Sequence, residues 1–499
     1  MGVSREQETG HAMRAVWCAL ALLVWCVVLR APTLLRSVID WDESLYLTIA
    51  DEWSRGGLPY VAVWDHKPVG IYVIFRIALA LFGHSVAAIR IATTLAVWIG
   101  AVLIYAIGRS VFRSRAAGGA AAIAYPAFSL ALMGIAANTE LYFITLNLTG
   151  AWLLIRAWHS ASRTRWEIAA AGVMFGAACE VKYLAAVEAA YFAGVFLALE
   201  WRARRQTWPG VMLAALTIAA ATLVAPLAAA GYFWSHSAWD EFWYANFTAN
   251  FMHAQEGPSG GGRPDNALLR LAFWSAPILA CLMCVWWRRA TRRDPASTRG
   301  TPVEWALLGW IAAGVAEASV TGQYYAHYFL VAWPPLCLLL GSLVRSFGLD
   351  ANVRRAAVVA VLIACVPALE IGRTVYRPWI DEWRQHGADR TARVAAYVRG
   401  RLGPGDRLYV VNDEPIVYFL AGGALPTKYV FPYFLIHPHF SAIAKVDPQA
   451  EIARIFADPP RCVVISPPAD PVSASVARRL ERGYIHARTF DHVSVYCRE

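Results

Sequence analysis

Residues 208–232 read WPGVMLAALTIAAATLVAPLAAAGY, twenty-five positions without one Asp, Glu, Lys or Arg. A helix needs about 20 apolar residues to cross ~30 Å of hydrocarbon, so this run has the length and composition of a membrane span. On either side of it, runs of the same kind occur at about 13–35, 85–108, 117–135, 139–157, 167–181, 184–200, 267–287, 302–320, 325–344 and 355–375, which makes eleven expected spans. The first run has no small-x-small cleavage site behind it and reads as an uncleaved anchor. The pair at 167–200 is interrupted by Glu180, Lys182 and Glu188. Backbone polar groups inside hydrocarbon must be satisfied within their own segment, so the spans are expected to be helices.

The composition agrees. Of 499 residues 58% are hydrophobic and 16% charged, and the mean hydropathy is +0.42. Soluble proteins are closer to a quarter charged, which argues against a soluble enzyme and against disorder. The net charge of +10 resembles a nucleic-acid signal until its placement is read. Seventeen arginines fall in alternate loops: Arg109, Arg113 and Arg115; Arg156, Arg163 and Arg165; Arg202, Arg204 and Arg205; Arg288, Arg289, Arg292, Arg293 and Arg299; Arg345, Arg354 and Arg355. The intervening loops hold Arg36, Arg55, Lys67, Lys182 and Arg263. Basic loops stay on the cytoplasmic side. The N-terminus is therefore expected inside, the C-terminus outside after an odd number of spans, and no nucleic-acid partner is implied.

Three stretches outside the spans are long: a first outer loop at 36–84, a second at 233–266 and a tail at 376–499. The second ends in the Gly- and Pro-rich run Gly257–Pro264, expected to be flexible. The tail alternates strand-like runs (Arg407–Val411, Cys462–Ile465, Val493–Tyr496) with helix-like ones (Thr391–Arg399, Ala450–Phe456, Ser473–Glu481). That pattern predicts a small α/β domain. The expected division is thus a membrane part at 1–375, an all-α polytopic bundle with interfacial helices, and an extracytoplasmic α/β domain at 376–499. Seven of nine cysteines, Cys281-x-x-Cys284 included, lie in or beside apolar runs and read as small apolar fillers. Cys462 and Cys497 lie in the tail and can pair if it faces an oxidising compartment.

The unusual polar residues cluster on the outer side. The first outer loop contains Asp40-Trp41-Asp42-Glu43-Ser44-Leu45-Tyr46, then Trp64-Asp65-His66-Lys67-Pro68. Apolar residues at 45, 46, 49, 50 and 53 have a helical period and predict an amphipathic helix on the membrane surface. A second helix is expected over about Val69–Phe82, too short for a full span. Asn138, Thr139 and Glu140 open one span, Glu180 to Tyr183 form a turn, and Gln323, Tyr324, Tyr325, His327 and Tyr328 open another. Ionisable groups at membrane depth are costly and tend to face a cavity or a partner. His327, Lys182 and Lys67 on one side predict an anion site.

Asp42-Glu43 after the first span, Tyr46, Gly57-Leu58-Pro59-Tyr60 and His66-Lys67-Pro68 resemble the first outer loop of the GT-C glycosyltransferases. The nearest in kind are the bacterial lipid A aminoarabinose transferases and the protein O-mannosyltransferases. His327-Tyr328-Phe329-Leu330 with Pro334-Pro335 is similar too, as is Val417-Tyr418-Phe419-Leu420 through Pro426-Thr427-Lys428-Tyr429-Val430. The resemblance implies a multi-pass enzyme of the bacterial inner membrane. It would move a sugar from a polyprenyl-phosphate donor to a hydroxyl of a glycolipid, glycan or protein outside the cytoplasm, with inversion. It implies Asp42 as general base, with Glu43 orienting it or the acceptor, and Lys67 on the lipid phosphate. His66, Lys182 and His327 are further phosphate candidates, and Glu140, Tyr46 and Tyr325 candidates on the acceptor or sugar side. Where the family often has Glu-Lys-Pro-Pro, this chain has His66-Lys67-Pro68-Val69, so no role is carried over from that glutamate, nor a metal tied to it. Asp40-x-Asp42 has metal-binding spacing, but two acids make a weak site; a divalent ion is allowed for and not predicted. The other class such a chain fits is a polytopic transporter or lipid flippase. The absence of repeated halves and the gathering of charge at one face weigh against it.

Overall fold

The computed structural model describes residues 5–160, 165–203, 206–255, 264–291, 301–467 and 470–498. All eleven expected runs fall wholly or partly on helix. Among the described residues, six helical stretches are long and apolar enough to cross a membrane: Ala15–Leu35, Val86–Phe112, Trp208–Ser235, Asn266–Arg288, Ala326–Ser346 and one starting at Val353. The count of eleven is therefore not reached on length and apolarity. Thr139–His159 carries Glu140 and Arg156, Ala185–Arg202 Glu188, Glu200 and Arg202, and Pro302–Ser319 Glu304 and Glu317, while Arg165–Val181 has 17 residues and Arg115–Phe128 only 14. The run expected at 117–135 stops being helical at Phe128. There the Arg30 guanidinium binds Ser129 Oγ (3.2 Å) and the Gly134 carbonyl (2.6 Å), pinning a turn in which Leu132 and Met133 take positive φ. The expected flexible run Gly257–Arg263 lies outside the described residues, as do Arg163, Arg204, Arg205, Arg292, Arg293 and Arg299; Pro264 opens a helix.

Contacts divide the chain into two units. The first comprises Met1–Ala31, Thr93–Ala228 and Gly257–Val375. Its helices approach closely because small residues face one another. Gly176 is an example: a Cβ there would sit 2.1 Å from the Thr222 carbonyl oxygen. Ala116, Ala120, Ala356 and Ala360 form a second seam with Val344. The Ala326–Ser346 stretch is almost wholly buried within the protein.

The second unit comprises Pro32–Ala92, Ala229–Glu256 and Tyr376–Glu499, so the first outer loop groups with the tail. Both expected loop helices form, at Trp41–Ser54 and Gly70–Phe82. The first was expected to lie on the membrane with one apolar face. Instead it is buried around most of its circumference, Glu43, Ser44, Thr48 and Asp51 included. The tail is the expected small α/β fold, with strands β1 (Leu408–Val410), β2 (Cys462–Ile465), β3 (Ile485–Phe490) and β4 (Val493–Cys497) in the order β1-β2-β4-β3. β1 and β2 are parallel; the other pairings are antiparallel. β3 escaped the sequence reading because it is a largely exposed edge strand, with His486 and Arg488 where an apolar alternation would show.

Cys462 and Cys497 are register partners on β2 and β4 and form a disulfide. Closing a 35-residue loop is worth about 3–4 kcal/mol by chain entropy. Cys497→Ser is expected to lower the tail's unfolding midpoint. Reductant should do the same to the wild type and nothing further to the variant, measured by thermal scans with and without reductant.

Candidate active site

The Trp41–Ser54 helix starts where it does because Asp40 caps it: its carboxylate accepts the Asp42 N–H at 3.0 Å. Asp40 is therefore spent on the backbone. Asp42 sits in the first turn, where the helix dipole favours a negative charge. Its side chain is about one-third exposed (32%). Tyr46, one turn on, donates its hydroxyl to Asp42 Oδ2 at 3.0 Å, and Lys67 Nζ lies 4.0 Å from the same oxygen. This brings together three of the expected site residues on a partly open carboxylate.

Glu43 is placed differently from expectation. It is fully buried and held by Arg90, whose two terminal nitrogens reach its two oxygens at 2.5 Å each. It also accepts the Ile39 N–H at 2.6 Å. Fully buried and so engaged, it is not open to an acceptor. It fixes the start of the helix that carries Asp42.

Lys67 stands on a loop built for rigidity. Tyr60 adopts φ +70°, rare for an aromatic residue. Its N–H bonds the Val63 carbonyl at 2.8 Å and its hydroxyl the Lys67 carbonyl at 2.8 Å. Asp65 accepts the Tyr72 hydroxyl and the His66 N–H, both at 2.7 Å, and Asn250 Nδ2 donates to the His66 carbonyl at 2.5 Å. Burial raises the Asp65 carboxyl to about 6, against the pull of Lys67. Because this folded-state value lies above the unfolded one, the stabilising proton is fully retained below about pH 4 and lost as pH rises through about 6. Asp65 therefore contributes a loss of stability as pH rises from 4 to 7.5, opposed by the depressed His66 and His253, so its share is read as a difference: Asp65→Asn is expected to lose less melting temperature, or gain more, than wild type over that range, checked by melting both proteins at the two pH values.

His66 turns inward, its ring centroid 5.1 Å from that of His253, which is in turn 5.8 Å from His439. Burial, then the neighbouring Lys67, hold His66 well below the usual histidine range and bring His253 to about 4. In both rings burial disfavours the charged imidazole. Asn250 and His253 escaped the sequence reading. The only signal was Asn246, Asn250 and His253 spaced one helical face apart in an aromatic stretch.

The remaining candidates gather in the first unit. Lys182 Nζ contacts Glu140 Oε1 at 2.5 Å and lies 3.4 Å above the Tyr328 ring. Thr139 donates to the other Glu140 oxygen at 3.2 Å. The His327 ring stacks with Tyr325 (5.7 Å, 11°) and meets Tyr328 edge-on (4.9 Å, 82°). The nine candidates thus form two groups, Asp42, Glu43, Tyr46, His66 and Lys67 in one unit and Glu140, Lys182, Tyr325 and His327 in the other. Among the described residues, no three His, Cys, Asp or Glu side chains converge as a metal-ligand set, and no step below is routed through a metal.

Comparison with known proteins gives the same class. Residues 65–228 match the family described as Dolichyl-phosphate-mannose-protein mannosyltransferase. The undecaprenyl phosphate-alpha-4-amino-4-deoxy-L-arabinose arabinosyl transferase of Pseudomonas aeruginosa (strain LESB58) is 24% identical over 382 residues, 72% of this chain and 67% of the relative. The crystal structure of ArnT from Cupriavidus metallidurans bound to undecaprenyl phosphate superposes over 98% of both chains with a TM-score of 0.66 at 15% identity. Its apo state gives 0.65 at 16%. At such identities the structures speak for the fold and the sequence matches for the chemistry; together they support a membrane glycosyltransferase that resembles the GT-C superfamily and, within it, the aminoarabinose transferases.

Proposed function

We propose that this chain transfers a sugar from a polyprenyl-phosphate donor to a hydroxyl of a glycolipid, glycan or protein outside the cytoplasm, in one inverting displacement. The observation that carries the reading is the pairing of Asp42 with Lys67 at 4.0 Å, one carboxylate and one ammonium on a partly exposed face. Asp42 takes the proton of the acceptor hydroxyl as its oxygen attacks the anomeric carbon. The bond from that carbon to the phosphate oxygen breaks, and the phosphate leaves with the electron pair. Lys67 meets the charge that develops on it. Tyr46 holds Asp42 in place through Oδ2. The phosphate contact is assigned to Lys67 because Glu140 already answers the charge of Lys182.

In this reading residues 1–375 are the catalytic membrane part, and 376–499 an extracytoplasmic domain. The alternation of arginine-rich loops supports a cytoplasmic N-terminus. The Cys462–Cys497 disulfide supports a tail on an oxidising side. The test is transfer by the purified full chain in detergent, given polyprenyl-phosphate sugars and an envelope glycolipid extract. Product with a polyprenyl-phosphate donor, its sugar identified by mass spectrometry, supports the reading. Product from a nucleotide sugar alone would overturn it.

A further inference from the structure

The segment that follows the Trp208–Ser235 span is built inside out. Trp239–Trp243 is α-helical, Tyr244–Thr248 takes the wider π geometry, and Ala249–Gln255 is α-helical again. Its inward side holds Ala238, Phe242, Ala245, Asn246 and Ala249, all buried. Asn250 Nδ2 and the His253 ring turn the same way, onto the His66 carbonyl and the His66 ring. The open side carries rings instead: Trp243 is 49% exposed, Phe247 44% and Phe251 66%. A helix facing water has the opposite arrangement, with amides outside and rings inside.

Trp239, Trp243, Phe247 and Phe251 recur at every fourth position. Four residues of α-helix overshoot one turn by about 40°, so three such steps would swing the row by about 120°. The π turn in the middle, bonded i to i+5, holds more residues per turn and cancels part of that swing. The rings therefore stay in one ridge, with Trp239 and Trp243 5.6 Å apart and Trp243 and Phe247 4.5 Å apart. Asp240 and Glu241 are exposed on another side; Glu241 is about 160° around the helix from Trp243.

The ridge begins where the span ends. Three residues separate Ser235 from Trp239. Phe242 stacks on Phe233 of the span at 4.9 Å, and Trp239 meets Trp234 at 5.9 Å. The helix is thus tethered at the edge of the hydrocarbon, where Trp is enriched. No Lys or Arg stands between Ser235 and Gln255, so attraction to anionic headgroups has no part in holding it there; burial of the rings does.

We infer that Trp239–Gln255 lies in the membrane surface at that end of the span, with the ridge of Trp239, Trp243, Phe247 and Phe251 set among the acyl chains below the headgroups. The occupant of this face is bilayer lipid, whatever its headgroup charge. The same helix grips the Lys67 loop from its other side, through Asn250 and the His66 carbonyl, so the bilayer contact fixes the depth of that loop at the surface.

The test uses the full chain in nanodiscs of dioleoyl phosphatidylcholine, with p-benzoylphenylalanine placed singly at position 243, 247, 251 or 241. After irradiation, intact mass gives the fraction of chains that carry a lipid adduct. The three ridge positions are expected to give about fivefold more adduct than position 241, and the same yield when phosphatidylglycerol replaces a third of the lipid. Equal yields at the ridge and at position 241 would overturn the inference. So would a yield that depends on phosphatidylglycerol, or crosslinked pairs of chains in place of lipid adducts, which would give the face to a second copy. If a substituted chain melts poorly, wild type is irradiated in nanodiscs that contain a phosphatidylcholine with a diazirine on its acyl chain. Label is expected on peptides covering 239–251; label on Trp208–Ser235 with none on 239–251 rejects the inference. Neither readout uses turnover, so a failure here leaves the transfer reading standing, and absent transfer leaves this contact standing.

Discussion

Asp42→Asn is expected to lower sugar transfer by about 10²–10⁴-fold, the usual worth of a general base. Membrane abundance and melting temperature should stay at wild-type values. The side chain is about one-third exposed and keeps its shape in the variant, and an amide oxygen still accepts from Tyr46. What is lost is the ability to take a proton. Transfer assays with the polyprenyl-phosphate donor, run beside a melting curve, separate the two effects. Transfer within a few-fold of wild type would remove Asp42 from the base role and leave the enzyme class standing.

The neighbouring residue should behave in the opposite way. Glu43→Ala removes the carboxylate that holds Arg90, itself 3% exposed. Breaking one side of a buried pair costs about 3–5 kcal/mol, so the variant should melt well below wild type and accumulate poorly. Arg90→Ala should do much the same, and the double alanine variant should cost clearly less than the two singles combined, because one interaction is removed twice. An apolar pair of similar volume, Glu43→Leu with Arg90→Met, is expected to recover most of the stability. Glu43→Ala with a normal melting curve and no transfer would instead place Glu43 in the reaction.

The contrast between these two adjacent acids marks where reading the chain stops. Membrane spans were legible because crossing hydrocarbon demands a long uncharged run, and residues 208–232 meet that demand with no reference to any neighbour. The loop helix was legible too, through its 3.6-residue period and its Asp40 cap. The tail's α/β pattern was legible except for β3, whose exposed edge carries no apolar alternation. The turn after Phe128 was not legible, because its cause is Arg30, some hundred positions away.

The site divides in the same way. That Asp42 and Lys67 act together was implied by the resemblance of the first outer loop to the GT-C family. That Glu43 is consumed by Arg90, Lys182 by Glu140, and Asp40 by its own helix could not, because a carboxylate's partner is chosen by packing across distant segments. Nor could the burial of His66 beside His253, which disfavours its charged form. The amino-acid sequence by itself determined a helical membrane protein with an α/β tail and an acid–lysine loop, since length, period and local capping are properties of contiguous residues. The tertiary structure alone decided which charges remain open to a ligand and which are spent on one another, since desolvation and ion pairing depend on what surrounds a group in space.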